Sequence, residues 1–217
     1  MAEPFTDGYL RFLERVLTPA RLKHSLGVMQ VMQELAGVYR LDREKAITAG
    51  LLHDAAKDLP PEQQRRLSEE GGLGIQNFGD LPYALYLHGP VGAYFVRKSL
   101  GIQDETVLDA IAMHGYCGDG AKFHAPFNWC LRFADLLEPN RGLSDANWAV
   151  ERRWYAQGRV RMWALVLDGK LLEAGLFQTG WLIAMFDEKG LPVSAKMRAV
   201  LADLSARLQV DETFFGY

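Results

Sequence analysis

The feature that most constrains this chain is the spacing of its histidines. It has five. Four stand in an order with acids beside or after them: His24, His53-Asp54, His88, His114, and then Asp135 in the stretch Phe133-Ala134-Asp135-Leu136. Imidazole and carboxylate are the side chains that hold Fe, Mn, Zn or Mg ions. An adjacent His-Asp pair can serve two ions, because a carboxylate has two oxygens and can bridge. Taken singly, each histidine reads as a packed or surface residue on an apolar helix. The joint pattern points to a metal-dependent hydrolase, and any fold that uses it must gather distant segments at one place.

The segments between these residues read as helices. Thr18-Pro19 is an N-cap followed by proline at the first helical position. Leu22, Leu26, Met29, Met32, Leu35 and Ala36 then recur at a helical period, with His24 in the first turns. Asp42 caps the next helix, which carries Ala46, Ile47, Ala49, Leu51 and Leu52 and then His53-Asp54. Pro60-Pro61 starts a short polar helix through Glu70, and the Gly-rich stretch 71–82 is a loop. His88-Gly89-Pro90 opens a helix closed by Gly101. Asp104 caps a helix that delivers His114 at its end. Residues 115–125 read as a loop containing His124. Pro126 begins the helix of Asp135, and Pro139 stops it. From Ser144 onward the pattern is again helical, with Ser194 a cap. No period-2 run, repeat or linker divides the chain. The expectation is all-α, a single domain over 1–217 with a metal-binding core at about 20–145 and C-terminal helices over 146–217.

Composition excludes some partners. Apolar residues make up 49% of the chain, enough for a substantial core, and the net charge is −3. With no Lys/Arg run, a nucleic-acid backbone is a poor partner. No apolar run approaches the ~18 residues of a membrane span, and no N-terminal secretion signal is seen. Cys117 and Cys130 are not spaced as a zinc knuckle and read as free thiols, so a cytoplasmic setting is expected.

Neighbours on a helix lie about 100° apart, so His53 and Asp54 can lean into one cavity, with Lys57 on the same side. His24 and Asp135 would complete the shell of a first ion. His88 and His114 would serve a second, with Asp54 bridging. Asp135 among apolar residues needs a counter-charge, which Arg132 is one residue able to supply.

The order His…His-Asp…His…His…Asp on helices resembles the HD-domain metal phosphohydrolases. The segments His53-Asp54-Ala55-Ala56-Lys57, Leu87-His88-Gly89-Pro90-Val91-Gly92-Ala93, His114, and Ala134-Asp135-Leu136-Leu137-Glu138-Pro139-Asn140-Arg141 look like the YqeK family within it. The resemblance spans about residues 20–145. It implies an HD-domain helical bundle and a bacterial enzyme that cleaves diadenosine tetraphosphate symmetrically into two ADP. It also implies two divalent metal ions, iron first and Mn, Zn or Ni as alternatives, on His24, His53, Asp54, His88, His114 and Asp135. Hydrolysis would be two-metal in kind, with Lys57 and Arg141 stabilising charge on the phosphoryl oxygens. The family's Thr-containing segment after the fourth histidine is here Gly115-Tyr116-Cys117-Gly118.

Each lesser candidate has a plainer reading. Lys57 also reads as a solvated helix-end charge, Arg141 as a surface ion pair, Asp58 as a cap, and His124 as a surface histidine. The C-terminal tryptophans read as core. Other HD nucleotide phosphohydrolase or phosphodiesterase activities, an HD-type di-iron oxygenase, and a non-enzymatic nucleotide-binding module are the rival functions. The oligomeric state is not readable from the chain.

Overall fold

The computed structural model describes residues 5–74, 87–115, 120–140 and 149–210, the side chains of 120–121 and 149–157 excepted. Cys117 and Arg141 lie outside the described residues, as does most of the segment 71–82. The chain divides into two compact units, residues 1–141 and 142–217. The described residues are helical with no strand.

The first unit holds α1 (Thr6–Val16), α2 (Pro19–Tyr39), α3 (Arg43–Leu52), α4 (Pro61–Glu70), α5 (His88–Leu100), α6 (Glu105–Met113), a short α7 (Gly120–Phe123) and α8 (Pro126–Leu137). The helix starts follow the caps. Thr18 Oγ1 accepts from the Arg21 N–H at 3.4 Å, Asp42 Oδ1 from Lys45 at 3.0 Å and Asp104 Oδ1 from Val107 at 3.1 Å. Such caps are worth about 1 kcal/mol each. Gly101 ends α5 at φ 69°, where a side chain would be strained. The stretch 115–125, expected as loop, contains the single turn α7.

α2 packs on α3 and α8, and α6 packs on α3, α5 and α8. Their shared core includes Met32, Leu35, Ile47, Leu51, Leu52, Ile111, Leu131 and Phe133, all buried. α2 and α3 touch at Gly50, where a Cβ would lie 2.8 Å from the Met29 Cα.

The second unit contains α9 (Ala149–Leu167), α10 (Leu171–Glu188) and α11 (Ala195–Leu208). α10 packs on both of its neighbours. Ser194 Oγ caps α11 by accepting from the Met197 N–H at 3.1 Å. Trp181 is buried and passes close to Gly158, as a core reading expects, whereas Trp163 is half-buried; Trp148 and the side chain of Trp154 lie outside the described residues. None of the described helices is long and apolar enough to cross a membrane.

Candidate metal centre

Two histidines end the helices that carry them. α3 stops at Leu52, and His53 caps it. The His53 Nδ1 lies 2.9 Å from the Gly50 carbonyl, the acceptor an α-helix would offer to the Asp54 N–H. The backbone then tightens to i→i+3 bonds, Ala55 to Leu52 at 3.1 Å and Lys57 to Asp54 at 2.8 Å. The expected α-helical stretch through His53-Asp54 is therefore a run of turns. With about three residues per turn, side chains at i and i+3 eclipse. Lys57 Nζ accordingly lies 3.7 Å from Asp54 Oδ1. His114 repeats the device at the end of α6, its Nδ1 2.7 Å from the Ile111 carbonyl.

In both rings Nδ1 is thus the N–H that donates to a carbonyl, and Nε2 keeps its lone pair facing the cavity. His24 does the same against a carboxylate, Nδ1 being 2.9 Å from Glu138 Oε1. Glu138 is fully buried, and its Oε2 accepts from the Asn140 N–H at 2.5 Å. It fits against α2 because residue 27 is glycine: a Cβ there would lie 2.2 Å from Glu138 Oε2.

The Nε2 atoms converge on Asp54, which is 3% exposed. Its Oδ2 lies 3.8 Å from His24 Nε2 and 3.6 Å from His53 Nε2. Its Oδ1 lies 3.2 Å from His88 Nε2 and 3.6 Å from His114 Nε2. Asp135 Oδ1 stands 3.0 Å from His24 Nε2 and 3.9 Å from His53 Nε2. His88 and His114 meet at 2.7 Å between Nε2 atoms. That approach depends on Gly89, where a Cβ would lie 2.8 Å from the carbonyl oxygens of Ile111 and Ala112.

All six expected ligands therefore come together. Two sets, His24 with His53 and Asp135, and His53 with Asp54 and His114, place one ligand atom each within 4.8 Å of one another. The donor set suits a cation on a further ground: the His53 Nε2 is buried and lacks a hydrogen-bond partner. A buried lone pair aimed at two carboxylates is costly unless something positive sits between them.

The electrostatics agree. Burial disfavours charge on Asp54, but Lys57, His53 and hydrogen bonds with His114 and His88 outweigh it and hold the carboxyl well below the usual range. Burial pushes His53 down to about 4. Burial and then the Lys57 charge take His88 to about 3. Both rings are neutral near pH 7, the form that ligates. Burial also opposes a charge on His24, yet hydrogen bonds with Asp135 and Glu138 carry it up to about 9, so without a cation its Nε2 holds a proton between the carboxylates, and a cation bound there would displace that proton.

The remaining candidates fall around this centre. Lys57 Nζ lies 3.0 Å from His88 Nε2 and 3.2 Å from Nδ1. Asp58 Oδ2 accepts from the Thr18 N–H and hydroxyl, each at 2.9 Å, and so holds the start of α2. His124 is half-buried, its ring 5.4 Å from that of Phe123. Arg132, 1% exposed, donates to the Met113 carbonyl through Nη2 at 3.1 Å and to the Phe123 carbonyl through Nη1 at 3.1 Å. Its guanidinium lies 3.6 Å from the Phe123 ring centroid, a desolvated cation–π contact. Glu138 and Gly27 were not singled out from sequence as supports of the site.

The HD domain family model matches residues 21–151. The chain belongs to the HD-domain family. A symmetrical bis(5'-nucleosyl)-tetraphosphatase of Halalkalibacterium halodurans is 37% identical over 134 residues, 61% of this chain and 68% of that protein. One of Bacillus subtilis with the same description is 34% identical over 132 residues, again 61% and 68%. The fold is similar to that of a solved Clostridium acetobutylicum chain described as a predicted HD superfamily hydrolase involved in NAD metabolism. That match has TM-score 0.78 and 30% identity, and covers 93% of this chain and 97% of the other. The HD model takes in His24, His53, Asp54, His88, His114 and Asp135.

Proposed function

We propose that this HD protein is a metal-dependent hydrolase of phosphoanhydride bonds, a symmetrical bis(5'-nucleosyl)-tetraphosphatase that cleaves diadenosine tetraphosphate to two ADP. The observation that carries the chemistry is the division of Asp54, one oxygen facing His24 and His53 and the other facing His88 and His114. The substrate rests on the relatives in Halalkalibacterium halodurans and Bacillus subtilis.

In this reading His24, His53, Asp54 and Asp135 hold one divalent ion, and His88, His114 and Asp54 hold a second. Iron is the first choice, with Mn, Zn and Ni also suited to nitrogen-rich, thiolate-free ligands. Bound there, such ions supply Lewis acidity toward phosphoryl oxygens and render water acidic enough to act as a nucleophile near neutral pH. Glu138 fixes the tautomer and orientation of His24. Lys57 offsets negative charge on the phosphoryl oxygens from the Oδ1 side of Asp54, and Arg141 is assigned the same task as a guanidinium fork. The proposal includes 1–217 as a single HD domain acting on a nucleotide in a cytoplasmic setting, with no nucleic acid or membrane partner.

Product analysis tests it. Metal-loaded protein with diadenosine tetraphosphate should yield ADP alone. AMP plus ATP would mean asymmetric cleavage and would overturn the assignment. Faster phosphate release from mononucleotides would move the chain to another HD nucleotidase activity.

A further inference from the structure

Arg21 stands one helical turn before His24 on α2, and its Nη1 lies 3.2 Å from Asp54 Oδ2. That is the oxygen facing His24 and His53. A carboxylate oxygen facing two ring nitrogens has its remaining lone-pair directions contested. A cation accepted there and a guanidinium on the same oxygen repel each other and compete for it.

The rest of the arginine is built for such an exchange. Its Nε is buried without a hydrogen-bond partner, and Asp58 Oδ1 stands 3.8 Å away, beyond hydrogen-bond reach but close in charge. Asp58 is itself fixed by the two hydrogen bonds from Thr18. The side chain is 34% exposed, so part of it reaches water while Nε stays buried. Lys57 occupies the matching position beside Asp54 Oδ1.

We propose that Arg21 is a phosphate-binding residue that competes with a cation for Asp54 Oδ2, and that once displaced it offers its guanidinium to a phosphoryl group of the substrate. This rests on the hydrolase reading above. A planar fork binds two phosphoryl oxygens together, which an ammonium cannot do. The arginine then has opposite effects on the two ligands: its presence weakens cation binding and strengthens polyphosphate binding.

The test uses Arg21→Gln and Arg21→Lys in the full chain. Calorimetric titration of metal-free protein with Mn²⁺ alone should show tighter binding in Arg21→Gln, by about threefold, the scale of a half-exposed ion pair. Titration of the Mn-loaded protein with inorganic tripolyphosphate should show binding weakened about tenfold, the loss of one charge-assisted contact. Arg21→Lys should fall between on both. The melting temperature serves as control and should hold. Unchanged or weaker Mn²⁺ binding in Arg21→Gln would overturn the competition, and unchanged tripolyphosphate binding would overturn the phosphate contact. Neither measurement uses diadenosine tetraphosphate. Failure of the wild type to form ADP would therefore strike the substrate reading alone.

Discussion

Gly27→Ala places one methyl group against the support of His24. The new Cβ would lie 2.2 Å from Glu138 Oε2, 3.0 Å from its Cδ and 3.2 Å from Asn140 Nδ2. The carboxylate cannot swing aside freely, because Oε1 is held 2.9 Å from His24 Nδ1 and Oε2 takes the Asn140 N–H. Alanine in a helix interior gains about 1 kcal/mol over glycine. Against that stand about 1–3 kcal/mol for overpacking and about 1.5–3 kcal/mol for a lost hydrogen bond to a charged group. The balance is a destabilisation of roughly 1.5–5 kcal/mol. Gly37→Ala, on the same helix with nothing within 4 Å of its Cβ position, should instead stabilise by about 0.4–1 kcal/mol. Urea unfolding of both variants reads the difference. Metal affinity of Gly27→Ala should fall about 10–100-fold, as when the partner of a ligating histidine is lost. A Gly27→Ala protein as stable as Gly37→Ala, with unchanged metal affinity, would refute the pinned carboxylate.

Three further outcomes follow. Asp54→Asn should abolish hydrolysis and remove more metal than any other single ligand change, measured by elemental analysis, while α3 stays folded through buried Ile47, Leu51 and Leu52; two retained ions with normal turnover would end the bridging role. Lys57→Ala should lower turnover with little change in metal content or melting temperature, and an unchanged kcat/KM would return Lys57 to a solvated charge. Burial pushes the Cys130 thiol up to about 12, so it should resist iodoacetamide at pH 8 in the folded protein and react after unfolding. The pKa is raised, so the stability linked to it is present below pH 9 and lost as pH rises toward 12; ready labelling of Cys130 itself in native protein at pH 8, told from Cys117 by peptide mapping, would contradict this burial.

Helix starts and ligand order were readable because both are local in sequence. Thr18, Asp42 and Asp104 announce α2, α3 and α6 through side chains that reach only three residues ahead. What lay beyond reading was set by contacts across the fold. The turn run at His53–Lys57 depends on an imidazole taking its own helix's carbonyl, which periodicity does not register. Glu138 reads as one more residue near a proline until it proves buried against α2. The available signal was a spacing of three: Arg21, His24 and Gly27 on α2, and Asp135 and Glu138 at the end of α8, each one turn apart and facing one another.

The clasp made by Arg132 has a consequence for how this region can vary. One guanidinium ties the carbonyl at Met113 to the carbonyl at Phe123, so the end of α6 and the end of α7 are held to a single side chain on α8. A planar fork reaches both carbonyls at once, which an ammonium, a point charge, does not reproduce. Residue 132 therefore has little freedom to change, while His114, the residue after Met113, keeps its place beside the anchored carbonyl.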